Sequence, residues 1–316
     1  STVSVSRAND PPPSAVHDAA PPLAGRRFIG ARLPRKEDPR LLRGEGVYVA
    51  DVNVPGQLYA AFVRSPHAHA RIVRVDLSAA RRQPGVVAAF AFPDIAHLAK
   101  PLPMLVPHRA LRPRMPYPLA ADKVRFVGEA VAMIVAEDPY AAEDALEAVH
   151  VEYEVLPPLT SGAQALAPDA PRLHDDLEDN VAAELRHGVG DITRAFAEAD
   201  VVIEESFRVA RISGQPMEPR GCLARWERSK FGDTLTLWDS TQSPHTARRV
   251  LADMFGLPQQ NVRVIAPDVG GGFGIKNRFY QEEGAVPIAA RLLDRPVKWV
   301  EDRREDLLTT YQARDQ

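Results

Sequence analysis

Cysteine is nearly absent from this sequence, since Cys222 is the single one among 316 residues. One thiol can form no disulfide within the chain, and it cannot hold an iron–sulfur cluster, which needs several ligands. Any such cluster must therefore sit on another polypeptide. For Cys222 itself, a small thiol buried in the core is the expected role.

Long hydrophobic runs and a charge excess are missing too. No apolar stretch approaches the roughly 20 residues that a membrane-spanning helix needs, so no membrane span is predicted. Residues 1–25 show neither a twin-arginine pair nor the apolar core of a signal peptide, and a cytoplasmic location is expected. Lysine and arginine number 39 against 42 acidic residues, a net charge of −3, which argues against a nucleic-acid partner.

The apolar content, 45%, is enough to build two domains with cores of their own. Residues 1–25 are rich in serine, alanine, aspartate and proline and predict a poorly ordered arm. Residues 26–157 show both strand and helix patterns, and so do residues 186–316. Residues 158–185 between them show no regular pattern and are predicted to be a linker. The whole indicates an α+β fold.

Local patterns place the elements along the chain. Valine-rich or alternating runs predict strands at residues 58–64, 72–77, 86–90, 124–127, 130–135, 151–155, 201–209, 222–226, 234–238 and 297–300. A capping side chain followed by proline predicts helices that start at Asp138 and Ser243, and further helices are expected near residues 191–199 and 280–293. The acidic pairs at residues 282–283 and 301–302 are expected to be solvated ends of elements.

A cluster of glycines stands out near the end of the chain. The alternation of Val262 and Val264 predicts a strand that stops at Pro267, and glycines at positions 270, 271, 272 and 274 follow before a helical pattern. Without side chains, the backbone N–H groups of such a turn can approach an anionic or oxo-bearing ligand closely. A tight strand-to-helix connection without any ligand is the plainer alternative.

Two phosphate-binding motifs compete for the same glycines. A Walker loop requires Gly-Lys followed by serine or threonine, and the order from Gly274 to Asn277 breaks that pattern. A dinucleotide fingerprint requires a longer last interval than the one between Gly272 and Gly274. The dinucleotide alternative stays open but weak, since the strand at residues 297–300 is followed by an acid, Glu301.

The glycine cluster, with Ser240, Thr241 and Gln242 upstream, resembles the molybdenum-cofactor site of the xanthine oxidase family, in particular the large subunit of carbon monoxide dehydrogenase-like molybdenum hydroxylases. Supporting motifs run in the family's order over nearly everything after residue 26. They lie at residues 30–38, 40–44, 63–71, 127–131 and 217–221. The resemblance implies an α/β hammerhead domain over residues 26–157 and the first part of a molybdopterin-binding domain over residues 186–316.

The same resemblance implies roles for individual residues. The carboxamide of Gln242 would donate to an oxo ligand of molybdenum, and a short backbone stretch would reach the cofactor. That stretch consists of Gly271, Gly272, Phe273 and Gly274. The ring of Phe273 would also line a substrate pocket with Asn277, which stands where purine-oxidising relatives carry a glutamate, so purine hydroxylation is not expected. Judged from the residues alone, Gln242 is a solvated polar side chain and Phe273 a buried structural ring, and both alternatives stay open.

In the family, the general-base glutamate and further pterin contacts lie in the later part of a much longer subunit. We therefore expect no catalytic residue and no direct metal ligand on this chain. It is predicted to be one part of a split molybdenum subunit that shares the molybdenum–molybdopterin cofactor with a second polypeptide. An FAD subunit and a 2Fe–2S subunit would complete the enzyme, and the small-molecule substrate would be an aldehyde or N-heterocycle hydroxylated with oxygen from water. A non-catalytic assembly subunit that binds these partners without touching the cofactor is the alternative.

Overall fold

The computed structural model describes residues 33–104, 108–230 and 232–311. The predicted arm, residues 1–25, lies outside them. The chain divides into two units between Gly46 and Val47. The described part of the first unit contains the short helix α1 (Asp38–Leu42), and every element below belongs to the second unit.

A seven-stranded mixed sheet forms the framework of the second unit. Its strands are β1 (Leu58–Arg64), β3 (Val86–Ala91), β5 (Ala130–Ala136), β7 (Gly221–Glu227), β8 (Thr234–Asp239), β9 (Val262–Ile265) and β10 (Val297–Val300). They are ordered β3-β5-β1-β10-β7-β8-β9. The pairs β1–β10 and β8–β9 are parallel, and the other neighbours are antiparallel. Because β1 pairs with β10, one sheet contains strands from both predicted domains.

A smaller antiparallel sheet and the helices complete the unit. Its strands are β2 (Ala70–Asp76), β4 (Lys123–Val124) and β6 (His150–Val155), in the order β4-β2-β6. The helices are α2 (Phe92–Ile95), α3 (Pro139–Asp144), α4 (Gly162–Ala165), α5 (Ile192–Ala197), α6 (Pro244–Phe255), α7 (Gln281–Leu293) and α8 (Arg303–Thr309). The predicted division at residues 157–158 and 185–186 stays a prediction, and α4 lies inside the expected linker.

The main core joins the large sheet with α6 and α7. All seven residues of β5 are buried, as the nearly continuous apolar sequence of a central strand requires. The first ten residues of α7 are buried too. Trp299 packs edge-on against Phe62, with ring centroids 5.6 Å apart. Cys222 is fully buried in this core, which confirms its expected role.

Most predicted elements are confirmed. Helix α6 begins at Pro244, directly after Ser243, and ends at Gly256, whose φ of +65° suits a glycine that closes a helix. Asp138 caps α3 by accepting a hydrogen bond from the N–H of Ala141 at 2.9 Å. The helix predicted there is shorter than expected, since it changes to a 3-10 turn at Ala145–Ala148.

The strand predicted at residues 201–209 is wrong. The structure assigns neither helix nor strand to this segment, and Val201, Ile203 and Phe207 are 75%, 80% and 85% exposed. A strand needs a neighbour for its backbone hydrogen bonds. Within residues 33–104, 108–230 and 232–311, no strand pairs with the segment, although its alternation is strand-like.

The connection between β4 and β5 is held by a buried carboxyl group. Glu129 is 2% exposed, and its Oε2 accepts a hydrogen bond from the N–H of Arg125 at 2.6 Å. Burial raises the pKa of Glu129 to about 7, against the lowering effect of that hydrogen bond. This carboxyl group therefore makes the fold sensitive to pH.

Candidate cofactor site

The glycine turn, residues 268–274, joins β9 to a 3-10 turn at Ile275–Asn277 that leads into α7. Asp268 holds its start, since the N–H of Val47 donates to its Oδ2 at 2.8 Å. Gly271 and Gly274 have φ values of +101° and +88°, in the region that glycine adopts without steric penalty. These two positions explain why the turn needs glycine.

Gln242 lies across this turn. It follows β8 and precedes α6, and its own N–H donates to the carbonyl of Lys276 at 2.8 Å. Its side-chain Oε1 accepts a hydrogen bond from the N–H of Gly274 at 3.0 Å. A Cβ on Gly272 would lie 2.5 Å from the Cδ of Gln242, so only glycine leaves room for this carboxamide. With Oε1 directed at Gly274 and no acceptor for Nε2 among the described residues, the NH2 end of Gln242 can donate to a ligand.

Phe273 is held in an unusual conformation. Its φ is +52°, a left-handed value that costs a non-glycine residue about 1–3 kcal/mol and is concentrated at functional sites. Its side chain is 72% exposed rather than buried. Within the described residues, the N–H of Phe273 has no protein acceptor. The ring and this N–H are thus both open to a ligand.

Asn277 closes the far end of the site. Its Oδ1 accepts a hydrogen bond from the hydroxyl of Ser243, which ties the start of α6 to the residues after the turn. The structure therefore brings together all of the predicted site residues on one surface. In the described part of the chain, no group of three His, Cys, Asp or Glu residues is placed to hold a metal ion.

Sequence reasoning missed the carboxylate that anchors the turn. Oε2 of Glu218 accepts hydrogen bonds from the hydroxyl of Ser240 at 2.7 Å, from the N–H of Gly270 at 2.7 Å and from Nζ of Lys276 at 2.9 Å. Burial lowers the pKa of Lys276, while its hydrogen bond to Glu218 opposes that shift. A Cβ on Gly270 would lie 2.5 Å from the Cβ of Glu218. The available signal was the motif at residues 217–221, which carries Glu218 next to Pro219.

A second network of charges is buried in the structure, and it shows that most of the acidic residues at 282–283 and 301–302 are not solvated ends of elements as expected. The acidic residues Glu282, Glu283 and Glu301 are buried, not solvated, with exposures of 2%, 4% and 2%. The guanidinium of Arg220 bridges Glu282, at 3.0 Å, and Glu301, at 2.5 Å. Although burial alone would raise the pKa of Glu282, the charges of Arg220 and Arg64 lower it to about 2. Arg220 pairs with Glu282 and Glu301 and Arg64 pairs with Glu282, which is why these two carboxylates can be buried as charges. Glu283 has no such partner among the described residues; it accepts a hydrogen bond from the N–H of Tyr280 at 3.0 Å, and burial raises its pKa.

The donor set of the turn suits an anionic or oxo-bearing ligand. The free N–H of Phe273 and the NH2 of Gln242 are hydrogen-bond donors, and the glycines leave space beside them. Two carboxylates of the turn and its anchor are already engaged, Glu218 by Lys276 and the N–H of Gly270, and Asp268 by the N–H of Val47. A molybdenum–pterin group with oxo ligands would meet donors here and no uncompensated negative charge.

Two models of known protein families match this chain. Residues 43–157 match the family model "Aldehyde oxidase and xanthine dehydrogenase, a/b hammerhead domain", and residues 173–316 match "Molybdopterin cofactor-binding domain". The chain belongs to the xanthine oxidase family of molybdenum hydroxylases, and it has the predicted fold, a hammerhead domain followed by a molybdopterin-binding domain. No helix within the described ranges has the length and apolar character needed to cross a membrane.

The relatives are much longer than this chain. This chain is 41% identical over 300 residues to the nicotine 6-hydroxylase large subunit of Paenarthrobacter nicotinovorans. The match covers 95% of this chain and 36% of the relative. The chain is also 41% identical over 301 residues to the carbon monoxide dehydrogenase large chain of Afipia carboxidovorans, covering 91% and 36%. The crystal structure of quinoline 2-oxidoreductase from Pseudomonas putida 86 superimposes with a TM-score of 0.83 and 38% identity, covering 90% of this chain and 36% of the other.

Proposed function

We propose that this chain supplies one wall of the molybdenum-cofactor pocket in a multi-subunit molybdenum hydroxylase. The observation that supports it most is the arrangement of Gln242 over the glycine turn. The N–H of Gly274 occupies its Oε1, so its NH2 is presented as a donor beside the free N–H of Phe273. Family membership makes a molybdenum–molybdopterin cofactor the ligand that fits these donors.

When bound, the molybdenum–pterin group supplies the two-electron acceptor for oxidation of a C–H bond with oxygen from water. The residues of this chain orient that group. The carboxamide NH2 of Gln242 and the N–H of Phe273 would donate hydrogen bonds to that group, and preorganised donors of this kind stabilise a transition state without reorganising. The exposed ring of Phe273 offers a flat apolar wall against which a substrate can stack.

The proposed substrate is an aldehyde or an N-heterocycle. Nicotine 6-hydroxylase and quinoline 2-oxidoreductase are named for N-heterocyclic compounds, and an aldehyde oxidoreductase from Desulfovibrio gigas is also structurally similar, with a TM-score of 0.78 at 28% identity. Asn277 presents a neutral amide at the pocket edge, hydrogen-bonded to Ser243. This favours a neutral substrate over one that requires a carboxylate contact at that position.

A split molybdenum subunit is the proposed organisation, with a second polypeptide, an FAD subunit and a 2Fe–2S subunit. One relative supports it. The nicotinate dehydrogenase large molybdopterin subunit of Eubacterium barkeri matches over 289 residues, and the match covers 62% of that chain. A similar match, 300 residues, covers only 36% of the nicotine 6-hydroxylase subunit, so the nicotinate dehydrogenase subunit is the shorter polypeptide. A cytoplasmic location belongs to the same proposal.

The proposal is tested on the complex purified through a tag on this chain. Metal and pterin analysis should find molybdenum and molybdopterin, and mass spectrometry should find the three partner polypeptides. Gln242→Ala should lower turnover by about 10²-fold, the loss usual for one such donor, while the subunits still assemble. Gln260→Ala, an exposed glutamine outside the site, is the matched control.

Two results would contradict the proposal. A complex that assembles without molybdenum would favour the non-catalytic assembly subunit. Full activity with bound pterin in the isolated chain would contradict the split organisation, because the general base would then have to lie on this chain.

A further inference from the structure

The strand-like segment, residues 201–209, has apolar side chains that are exposed in the structure. Residues at odd positions share one side of an extended chain, and these include Val201, Ile203, Phe207 and Val209. Three of them are at least 75% exposed, and Val209 is 41% exposed. The other side carries Glu204, Ser206 and Arg208. Val202 also lies on that side and Glu205 lies on the apolar side, and apart from these two the alternation is typical of a strand with one buried and one solvated face.

The backbone of the segment is equally without a neighbour. Among residues 33–104, 108–230 and 232–311, no strand pairs with residues 201–209, and no main-chain hydrogen bond of theirs to another main chain is found. An apolar strand edge of this kind is a template for pairing with another chain. The segment is therefore not a strand in the structure, but its side-chain alternation suits one, and the described part of this chain provides no strand to pair with it.

The segment leads directly into the candidate cofactor site. Five residues beyond Val209, a Cβ on Gly214 would lie 2.8 Å from Ile275, at the end of the glycine turn. Pro216 packs against the turn as well, with its Cβ 3.2 Å from where a Cβ of Gly271 would be. Glu218, which anchors the turn, follows two residues later. A strand added along residues 201–209 would thus be delivered next to the cofactor turn.

We infer that a strand of the polypeptide completing the molybdenum subunit pairs with residues 201–209 and covers their apolar face. The inference rests on the proposed function, which requires that polypeptide to bring the general base to this turn. The segment lies inside the matched cofactor-binding domain, residues 173–316, and most of the length of the long relatives lies outside the matched part. Main-chain pairing with alternate side-chain pockets is an established mode of recognition.

A second copy of this chain fits the segment less well. Antiparallel self-pairing centred on the segment would place two Glu205 carboxylates directly opposite each other, and like charges in that position destabilise a strand pair. A different polypeptide can place a cation or a polar group there. The occupant we assign is therefore the completing polypeptide.

Substitutions on the two faces test the assignment in the co-expressed complex. Ile203→Lys with Phe207→Lys places two charges on the apolar face and should weaken capture of the completing polypeptide by about tenfold or more, since burying such side chains contributes strongly to association. The pair should have a control on the polar face, and Glu204→Lys alone adds the same net charge of +2 there and should leave capture unchanged. Both variants should leave the soluble yield of this chain unchanged, because the altered side chains are exposed.

Hydrogen exchange of the assembled, molybdenum-loaded complex gives the second readout. The amides of residues 201–209 should be protected there, as in a paired strand. Rapid exchange in the loaded complex, or normal capture by Ile203→Lys with Phe207→Lys, would overturn the inference. Protection that arises from a dimer of this chain alone would also overturn it, in favour of a second copy. A protected segment in a complex without molybdenum would instead refute the proposed function and leave the pairing intact.

Discussion

Replacing Gly272 by alanine adds one methyl group beneath Gln242. A Cβ at this position would lie 2.5 Å from Cδ and 2.6 Å from Oε1 of Gln242, whereas carbon atoms in favourable contact are about 3.5–4.0 Å apart. The φ of Gly272 lies outside the left-handed region, so alanine introduces no backbone strain. The effect on stability must therefore arise from the displaced carboxamide.

The expected loss of stability is small. Gln242 is exposed and can rotate away from the methyl group, which breaks the hydrogen bond from the N–H of Gly274 to its Oε1. One such bond contributes about 0.5–1.5 kcal/mol, so the free energy of unfolding should fall by about 1 kcal/mol. Turnover should fall far more, by about 10²-fold, because the displaced carboxamide no longer donates to the cofactor.

A double-mutant cycle separates these effects. The purified complex is compared as wild type, Gly272→Ala, Gln242→Ala and the double variant, with thermal unfolding, molybdenum content and turnover measured for each. Once Gln242 is shortened, the three atoms nearest to the added methyl group are gone, and Gly272→Ala should add little. Gly274→Ala is the contrast, because its surroundings are open but its φ is +88°, so its strain persists in both backgrounds.

An equal loss of turnover from Gly272→Ala in both backgrounds would refute the reasoning. The methyl group would then act on the cofactor or the backbone itself rather than through Gln242. Normal turnover in Gly272→Ala would show that the position of Gln242 does not matter for the reaction.

Three further predictions follow from the buried and strained groups. Glu218→Gln keeps the shape of the side chain but leaves the Lys276 ammonium unpaired. The free energy of unfolding should fall by about 3–5 kcal/mol, and the complex should lose part of its molybdenum. Adding Lys276→Met should restore the stability, measured by thermal unfolding. Glu129 has a pKa of about 7 in the folded state and 4.5 as its ordinary value, so its contribution to the free energy of unfolding is complete below pH 4.5 and is lost as the pH rises to 7. Glu129→Gln should remove up to about 3 kcal/mol of this pH dependence, measured by urea titration. An unchanged pH profile in the variant would refute this prediction. Phe273→Gly relieves the φ of +52°, which costs about 1–3 kcal/mol, while the flexibility of glycine costs about 0.5–1 kcal/mol, so the free energy of unfolding should stay the same or rise by up to about 2.5 kcal/mol. KM should rise because the ring is lost, and an unchanged KM would exclude the ring from the pocket.

Features that depend on neighbours in the chain could be predicted from sequence. The start of α6 at Pro244, its end at Gly256 and the buried strand β5 follow from backbone preferences and apolar runs. The predicted cap at Ser243 is wrong, because its hydroxyl donates to Asn277 instead of accepting from the helix. The glycine turn belongs to the same class, since the positive φ values of Gly271 and Gly274 are a local demand. The order of the motifs along the chain was enough to predict the family and the fold.

Burial of charge was decided by tertiary structure. Glu282, Glu283 and Glu301 occupy positions that are usually solvated, and they are buried because Arg220 and Arg64 reach some of them from other elements. The anchor of the cofactor turn has the same origin, as Glu218 is 52 residues from Gly270 in sequence. No local pattern encodes which distant cation or N–H a carboxylate will meet.

Residues 201–209 show the difference most clearly. Their alternation of apolar and polar side chains is a property of the sequence alone, and it specifies which face of a strand would be buried. Whether the strand forms depends on a neighbouring backbone, which must come from a distant part of the fold or from another chain. Most local conformations, the family and the glycines of the turn could be read from the residues in order. Tertiary contacts decided which charges are buried and which strands are paired, because burial of a charge and pairing of a strand each require groups that are far apart in the chain.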